Sequence, residues 1–319
     1  MKKVKSRYAF HRLLLGSDLS VRRLPTMTVQ APQTGPTIWL TACVHGDEVC
    51  GMVVIHEVLR RARKRLTHGS IHALPLLNPF GFEHSSRKIT PSQEDLNRCF
   101  PGNAVGTLGE RLADKIFSMI MQSHPDLVID LHTDWKRSIP YVVLDARPSE
   151  SYEFTYGITK NIALDTNLAV IQELDIIDGS LSYNLLLRSV PALTLELGEP
   201  YIINEDNVST GVEAVWNVLL SMGMCEVIES EMQLLCTDNK KPSSIYHYFD
   251  KPYSSTSGIV RFLAQPGELI QAGQPFAKIV NAFGKHQETI SSLHNGIILG
   301  HTDSSVVFPG MPIMAFGVR

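Results

Sequence analysis

The sequence predicts an α/β fold, with a mixed, largely parallel sheet flanked by helices and a small all-β unit at the C-terminus. Short apolar runs alternate with amphipathic helical stretches as far as Met222, a pattern typical of strands joined by crossover helices. Polar side chains follow several of these runs directly. After Gly258 the apolar runs become shorter and are separated by Pro-Gly and Asn-Gly turns, which indicates a small β structure.

The first predicted strand covers Pro36 to Cys43, an apolar run after a loop that contains Pro and Gly. A helix is expected from Glu48 to about Arg65, because apolar residues recur near the helical period and the end is basic. Ile71 to Leu77 is the second predicted strand, and the turn signal Asn78-Pro79 ends it.

A polar segment from Glu83 to Gly106 follows, and its length favours a functional loop over a plain connection. Thr107-Leu-Gly-Glu110 is a capping box, which predicts the start of an amphipathic helix. Leu127 to Leu131 is then predicted as a buried strand, Ala192 to Leu197 as another strand, and Val208 to Met222 as a helix.

These elements form the first predicted domain, residues 1–225. Residues 226–319 form the second, a connector (226–256) followed by β structure. In a largely parallel sheet, ligands bind beyond the carboxyl ends of the strands. Four polar residues lie there in the prediction: His45, Asn78, His132 and Glu196.

The composition is that of a globular protein of 319 residues, with 44% hydrophobic and 19% charged residues. A net charge of −3 gives no indication of a nucleic-acid partner. No segment reaches the roughly 18 apolar residues of a membrane-spanning helix, so no membrane association is expected. Scattered cysteines without a C-x-x-C pair, and an N-terminal apolar segment broken by His11 and Arg12, predict a cytoplasmic protein. The oligomeric state stays open, a homo-oligomer included.

The segment His45-Gly46-Asp47-Glu48 joins the first predicted strand to the first helix and offers two metal ligands. Imidazole and carboxylate both suit zinc, and catalytic zinc sites use three protein ligands and one open position. The start of the helix would also supply N–H groups and a positive dipole end for Glu48. This short motif alone is equally compatible with a packed His45 and a Glu48 that only favours the first helical turn.

A second histidine, His132, ends the strand predicted at Leu127 to Leu131. In isolation it is better explained as a hydrogen-bonded core residue. It emerges, however, at the same sheet edge as His45 and would supply the third ligand. Asp130 lies on the same side of the strand and could orient the imidazole, a role that Asp134 or a backbone carbonyl would serve equally well.

Glu196 lies between apolar residues near a strand end, where a carboxylate is unfavourable unless it is paired or functional. Near a metal it could accept a proton from water and deliver it to a leaving nitrogen, and a salt bridge to a buried arginine is the equal alternative. The loop from Arg87 to Arg98, with Asn97, could bind a carboxylate or an oxyanion. A solvated charged loop explains an isolated Asn-Arg pair better.

Taken together, these segments resemble the succinylglutamate desuccinylase/aspartoacylase family, a branch of the zinc carboxypeptidase superfamily. The matching segments occur in the family's order: His45-Gly-Asp-Glu48, Asp95-Leu-Asn-Arg-Cys-Phe-Pro-Gly102, Asp130-Leu-His132 and Leu195-Glu-Leu-Gly198. The resemblance implies a zinc-carboxypeptidase-like fold and one zinc ion held by His45, Glu48 and His132.

The resemblance also implies the roles of the remaining site residues. Glu196 would be the catalytic carboxylate, Asn97 and Arg98 would bind the substrate's carboxylate, and Arg87 would polarise the scissile carbonyl. The run from Arg87 to Asp95 is longer than the family's usual spacing. The tail from Gly258 resembles the family's sandwich of the biotinyl/lipoyl-carrier type, but Lys285 lacks the flanking methionines of a carrier, so we expect a structural wall or lid.

The predicted function is zinc-dependent hydrolysis of the amide bond of a small N-acyl amino acid with a free carboxylate. A metallocarboxypeptidase acting on peptides and a non-catalytic binding or scaffold protein are the alternatives. The sequence identifies neither the acyl group nor the amino acid. Further candidates for specificity are Tyr183, Arg188 and the segment Trp135-Lys136-Arg137.

Overall fold

The computed structural model describes residues 3–15, 21–226, 245–302 and 304–319. Strands of the N-terminal region are β1 (Lys5–Leu15), β2 (Val21–Gln30), β3 (Gln33–Ala42), β4 (His68–Leu74), β5 (Leu127–His132), β6 (Arg137–Ser138), β7 (Pro140–Leu144), β8 (Ala169–Gln172) and β9 (Ala192–Leu197). The later strands are β10 (Ile245–Phe249), β11 (Gly258–Phe262), β12 (Leu269–Ile270), β13 (Pro275–Val280), β14 (His286–Ser291), β15 (Gly296–His301), β16 (Val306–Val307) and β17 (Met314–Val318).

Most of these strands form one mixed sheet in the order β1-β2-β4-β3-β5-β9-β7-β8-β10-β17-β15-β12, with β6 paired to β15. Its centre contains the parallel pairs β4-β3, β3-β5 and β5-β9. The carboxyl ends of these strands therefore meet at one edge. In that register His132 of β5 lies beside Glu196 of β9, which brings the two side chains to the same edge.

Helices cover both faces of the sheet. They are α1 (Cys50–Arg65), α2 (Pro79–Phe82), α3 (Leu108–Met121), α4 (Glu153–Asp165), α5 (Leu181–Leu186) and α6 (Glu205–Ser221). Alternate residues of β3 enter different cores: Ile38 and Leu40 pack with the buried faces of α1 and α6, and Trp39 packs with those of α3 and α5. This alternation is the strand pattern expected for a sheet that is buried on both faces.

The C-terminal region extends the large sheet and adds a second one. Strand β10 pairs in parallel with β8, and β17, β15 and β12 continue the sheet beyond it. A separate antiparallel sheet has the order β14-β13-β11-β16. Phe276 and Phe316 pack edge to face between these layers. The boundary between residues 225 and 226 stays a prediction, and much of the predicted connector (residues 227–244, with Cys236) lies outside the described residues.

Several predicted elements are confirmed with shifted ends. Helix α3 begins at the predicted capping box of Thr107 and Glu110. Helix α1 begins after Glu48, at Cys50. Helix α6 begins before Val208, because the Asn204 side chain accepts hydrogen bonds from two N–H groups of its first turn. The turn predicted at Asn78 is the start of α2, and its side chain accepts from Gly81 N at 2.8 Å.

Within the described residues, no helix has the length and apolar character needed to cross a bilayer.

Candidate metal centre

His45, Glu48 and His132 meet in a buried cluster at the carboxyl edge of the central strands. The three residues are 2–4% exposed, and one ligand atom from each lies within 4.8 Å of the others. His45 Nδ1 is 2.5 Å from Glu48 Oε1, and His132 Nδ1 is 3.0 Å from Glu48 Oε2. The two imidazoles therefore face the two oxygens of one carboxylate.

A tight turn after β3 places the first two of these residues. Cys43 has a left-handed backbone, with φ of 56°, and Gly46 packs so closely on the start of α2 that an added Cβ would lie 1.9 Å from the Gly81 carbonyl carbon. Glu48 precedes α1, and its Oε2 accepts from Thr133 N at 3.2 Å. The carboxylate of Glu48 thus lies at the N-terminus of α1 and also receives a hydrogen bond from the segment after β5.

Asp130 orients His132, as one of the predicted alternatives had it. His132 Nε2 is 2.8 Å from Asp130 Oδ2, and Asp130 Oδ1 accepts from Thr41 Oγ1 at 2.6 Å. This chain of hydrogen bonds fixes the ring so that Nδ1 faces Glu48. Asp134, the other candidate, accepts a hydrogen bond from Tyr141 Oη at 2.5 Å.

The electrostatics of the cluster favour a cation at its centre. Burial acts to lower the pKa of His45, but the carboxylates of Glu48 and Asp95 outweigh it and raise that pKa. At His132 burial also acts to lower the pKa, but Asp130 and Glu48 outweigh it and raise the pKa well above its usual value. The two imidazoles hold the pKa of Glu48 low despite its burial. Two imidazoles and one carboxylate are a donor set that suits a divalent transition metal, so these residues fit a metal ion.

Glu196 lies beside His132, on the neighbouring strand β9. Among the described residues no salt bridge reaches it, so the alternative of a pair with a buried arginine is not found. Its Oε2 is buried and has no hydrogen-bond partner there. Burial, with the negative charge of Asp134, raises the pKa of Glu196 well above its usual value. The carboxyl group can therefore hold a proton close to the cluster.

The loop that contains Arg87 closes the cluster from the other side. Arg87 Nε and Nη2 donate to Asp95 Oδ2 at 3.2 and 3.1 Å, and Nη1 is 3.6 Å from Glu48 Oε1. Asp95 Oδ1 is 3.1 Å from His45 Nε2, and it also accepts from Asn97 N at 2.9 Å. Asp95, a residue of one of the family-like segments for which the sequence predicted no role, thus joins Arg87 to the ring of His45.

Asn97 and Arg98 form one turn of 3-10 helix (Leu96–Arg98) at the rim. Asn97 Oδ1 accepts from Leu181 N at 3.0 Å, which joins the loop to α5 and leaves the amide nitrogen of Asn97 as a donor. Arg98 is exposed and its Nη1 donates to the Asn97 carbonyl at 2.8 Å.

A cavity of about 230 Å³ joins all the predicted site residues. It is lined by His45, Glu48, Arg87, Asn97, Arg98, His132, Thr133, Asp134, Tyr141, Val143, Asp145, Glu173, Ile177, Ser180, Ser182, Thr194, Glu196 and Tyr248. Three of the residues considered from the sequence, Tyr183, Arg188 and Asn78, do not line it, and neither does Trp135, whose Nε1 lies 3.2 Å from Tyr248 Oη.

Sequence reasoning missed the opposite wall of this cavity. Asp145 directly follows β7 and Glu173 directly follows β8, so both obey the rule that had pointed to His45: a polar residue just after an apolar run. Tyr248 had no such signal, because it comes from a C-terminal strand that joins the sheet over a long separation in sequence.

Known proteins show the same architecture. The family model of the succinylglutamate desuccinylase/aspartoacylase catalytic domain matches residues 34–222, more than half of the chain. The structure is similar to a succinylglutamate desuccinylase/aspartoacylase from Rhodobacter sphaeroides, with a TM-score of 0.82 and 21% identity over 100% of this chain and 96% of that one. The product-bound ectoine utilization protein EutE (DoeB) from Ruegeria pomeroyi gives a TM-score of 0.81 at 20% identity, with coverage of 100% and 96%.

Two other similarities cover a smaller part of the chain. A metallo-carboxypeptidase from Burkholderia cenocepacia gives a TM-score of 0.52 at 16% identity over 68% of this chain and 64% of that one. The N-alpha-acetyl-L-2,4-diaminobutyric acid deacetylase of Halomonas elongata is 32% identical over 107 residues, 34% of this chain, and the match spans 31% of that relative's length. By the match of its catalytic region, the chain belongs to the succinylglutamate desuccinylase/aspartoacylase family.

Proposed function

We propose that this protein hydrolyses the amide bond of a small N-acyl amino acid with a zinc ion held by His45, Glu48 and His132. The observation that carries the proposal is a single cavity in which these three buried donors lie beside Glu196, a carboxyl group with an unpartnered oxygen. The family match supports a hydrolase that acts on amides.

The three donors would bind zinc through one imidazole nitrogen of each histidine and the Glu48 carboxylate, and the cavity side would stay open to substrate. Asp130 would keep the ring of His132 in place. A zinc ion bound there supplies Lewis acidity toward water and toward the acyl carbonyl.

Glu196 is the group proposed to move the proton. Its Oε2 faces no other hydrogen-bond partner among the described residues, so it is free to accept a proton from the attacking water. Burial and Asp134 raise the pKa of this carboxyl, and a zinc ion bound beside it would oppose that rise, so the group could be anionic before the attack and hold the proton until it passes to the leaving amine.

The loop residues would orient the substrate. Arg87 lies next to Glu48 and lines the cavity, where it would stabilise negative charge on the acyl oxygen. Arg98 and the amide nitrogen of Asn97 would bind the α-carboxylate of the amino acid. Fixing that carboxylate holds the amide near Glu196 and lowers the entropic part of the barrier.

A carboxypeptidase acting on peptides would use the same groups. The small cavity, with Tyr248 of β10 in its wall, favours a small substrate over a peptide chain. A binding or scaffold protein is disfavoured because all three metal donors and the carboxyl of Glu196 are in place.

The test combines elemental analysis with a substrate panel. Purified wild type should contain about one zinc per chain and the His132→Ala variant much less. The wild type should hydrolyse some of a panel of Nα-acetyl and Nα-succinyl amino acids and leave matched peptides intact. A wild type that takes up no zinc, or that cleaves none of the acylated amino acids, would contradict the proposal.

A further inference from the structure

The wall of the cavity across from the loop residues carries two carboxyl groups that the proposed mechanism does not use. Leu144 and Gln172 are paired residues on the parallel strands β7 and β8. Asp145 and Glu173 follow them directly, and Glu173 N donates to the Leu144 carbonyl at 2.9 Å. The two acids therefore leave the sheet side by side, and both line the cavity.

Asp145 is buried without a partner for one of its oxygens. The residue is 6% exposed, and its Oδ2 has no hydrogen-bond partner within the described ranges. An unpartnered carboxylate oxygen in the wall of a cavity is unfavourable in the free protein, and a donor on a bound molecule would satisfy it.

These two acids are not part of any ion pair among the described residues. In the described part of the chain, neither forms a salt bridge with Lys, Arg or His. Burial raises the pKa of Asp145 to about 6, with Asp130 adding to this rise, whereas a hydrogen bond from Ser182 and the more distant charge of His132 oppose it. Burial and the neighbouring Asp145 and Asp175 raise the pKa of Glu173 to about 7. At a pH above these values both carboxylates are anionic, and neither is in an ion pair with a described side chain.

We propose that Asp145 and Glu173 bind an ammonium group on the side chain of the substrate's amino acid. The preferred substrates would then be N-acyl diamino acids, a class within the proposed function and resting on it. The α-carboxylate would lie on Arg98 and Asn97, and the side-chain ammonium would donate to the unpartnered Oδ2 of Asp145.

Two other occupants are less compatible with this wall. A side-chain carboxylate would meet two acids of its own sign. A second metal ion lacks ligands, because the described residues form only one group of three donors close enough to hold a metal, and neither Asp145 nor Glu173 belongs to it.

The experiment compares isosteric substrates on the zinc-loaded protein. Nα-acetyl-L-2,4-diaminobutyrate carries an ammonium where Nα-acetyl-L-homoserine carries a hydroxyl, and Nα-acetyl-L-glutamate supplies an acidic side chain. We expect kcat/KM of the wild type to be about tenfold or more higher for the amine than for the hydroxyl compound, since hydrogen bonds to charged groups are strong. In Asp145→Asn and in Glu173→Gln, that ratio should fall about tenfold.

The matched control is Asp175→Asn, which removes the same charge from the same loop at an exposed position outside the cavity. The ratio of kcat/KM for the amine to kcat/KM for the hydroxyl compound should be the same in this control as in wild type. If that ratio falls as far as it does in Asp145→Asn, the effect comes from the loss of any negative charge in the region, and the subsite is overturned. Equal or better hydrolysis of the hydroxyl or acidic compound by wild type would also overturn it, with the proposed function intact.

A binding measurement tests the ammonium subsite independently of the proposed hydrolysis. Free L-2,4-diaminobutyrate should bind the zinc-loaded wild type in calorimetry, and Asp145→Asn should bind it about tenfold more weakly. If no acylated amino acid is hydrolysed, the proposed function fails, and this binding still decides on the subsite. Equal binding by wild type and variant would overturn the subsite.

Discussion

The two ends of the cavity differ in whether their buried charged groups are paired. At the metal end the ligands and the arginine face charged partners: His132 lies between Asp130 and Glu48, and Arg87 lies on Asp95. At the other end Asp145 and Glu173 have no cationic partner among the described residues. The paired charges at the metal end can hold their geometry before any ligand arrives. The two carboxylates at the other end, when ionised, gain a cationic partner only when a ligand brings one. The first organises the chemistry, and the second is suited to selecting the substrate.

The strongest test of this contrast changes Glu196, the carboxyl group at the metal end whose Oε2 has no hydrogen-bond partner among the described residues. Replacing Glu196 with Gln keeps the shape but abolishes proton transfer, which contributes about 10²–10⁴-fold in enzymes. We expect kcat to fall by that factor while the zinc content of the protein stays at the wild-type level. A variant with wild-type kcat would show that Glu196 does not carry the proton.

A smaller effect is expected when Asp130, the residue that holds the proposed metal ligand His132 in place, is changed. Asp130→Asn removes the charge behind His132 Nε2 and should weaken metal affinity about 10–100-fold. Competition with a zinc chelator measures this directly. The matched control is Asp126→Asn, at a residue that caps the backbone N–H of Thr37 far along the strand and should leave the affinity unchanged. Equal affinities in all three proteins would mean that Asp130 does not support the site.

The two acids at the other end of the cavity should make substrate preference depend on pH. Asp145 has a pKa of about 6 and Glu173 of about 7, so both are anionic above these values and neutral below them. The advantage of the amine substrate over its hydroxyl isostere should therefore be present at about pH 8 and decline about tenfold toward pH 5. The ratio of the two kcat/KM values cancels titrations at the metal end. A ratio that is constant with pH would contradict the role of these carboxylates.

The two ends also differ in how well the sequence predicted them. His45, Glu48 and His132 lie in recognisable motifs, and the two strands that lead to them, β3 and β5, contain apolar runs. The sequence therefore predicted both strands and the meeting of these three side chains at their carboxyl ends. The N-terminal hairpin β1-β2 is rich in Arg and half exposed, and its strands lacked a clear apolar pattern. Tyr248 reaches the cavity through the pairing of β10 with β8, which only tertiary structure reveals.

Stability provides the last and smallest test. The pKa of Asp145 is raised in the folded protein to about 6 from 3.8, so the folded state binds more protons than the unfolded state between these values. The resulting stabilisation is complete below the unfolded pKa and is lost as pH rises through the folded one. Asp145→Asn should therefore be more stable than wild type at about pH 8, by an amount on the order of 1 kcal/mol, and the difference should shrink toward pH 5.

Urea denaturation of the ligand-free proteins at both pH values measures this difference. Thr107→Ala, which removes the cap of α3, serves as the contrast, because it should lower stability by about 1 kcal/mol with little dependence on pH. A variant of Asp145 that is less stable than wild type at pH 8 would mean that its carboxylate already has a favourable partner in the free protein. The unsatisfied charge would then not be available to select a substrate, and the contrast between the two ends of the cavity would disappear.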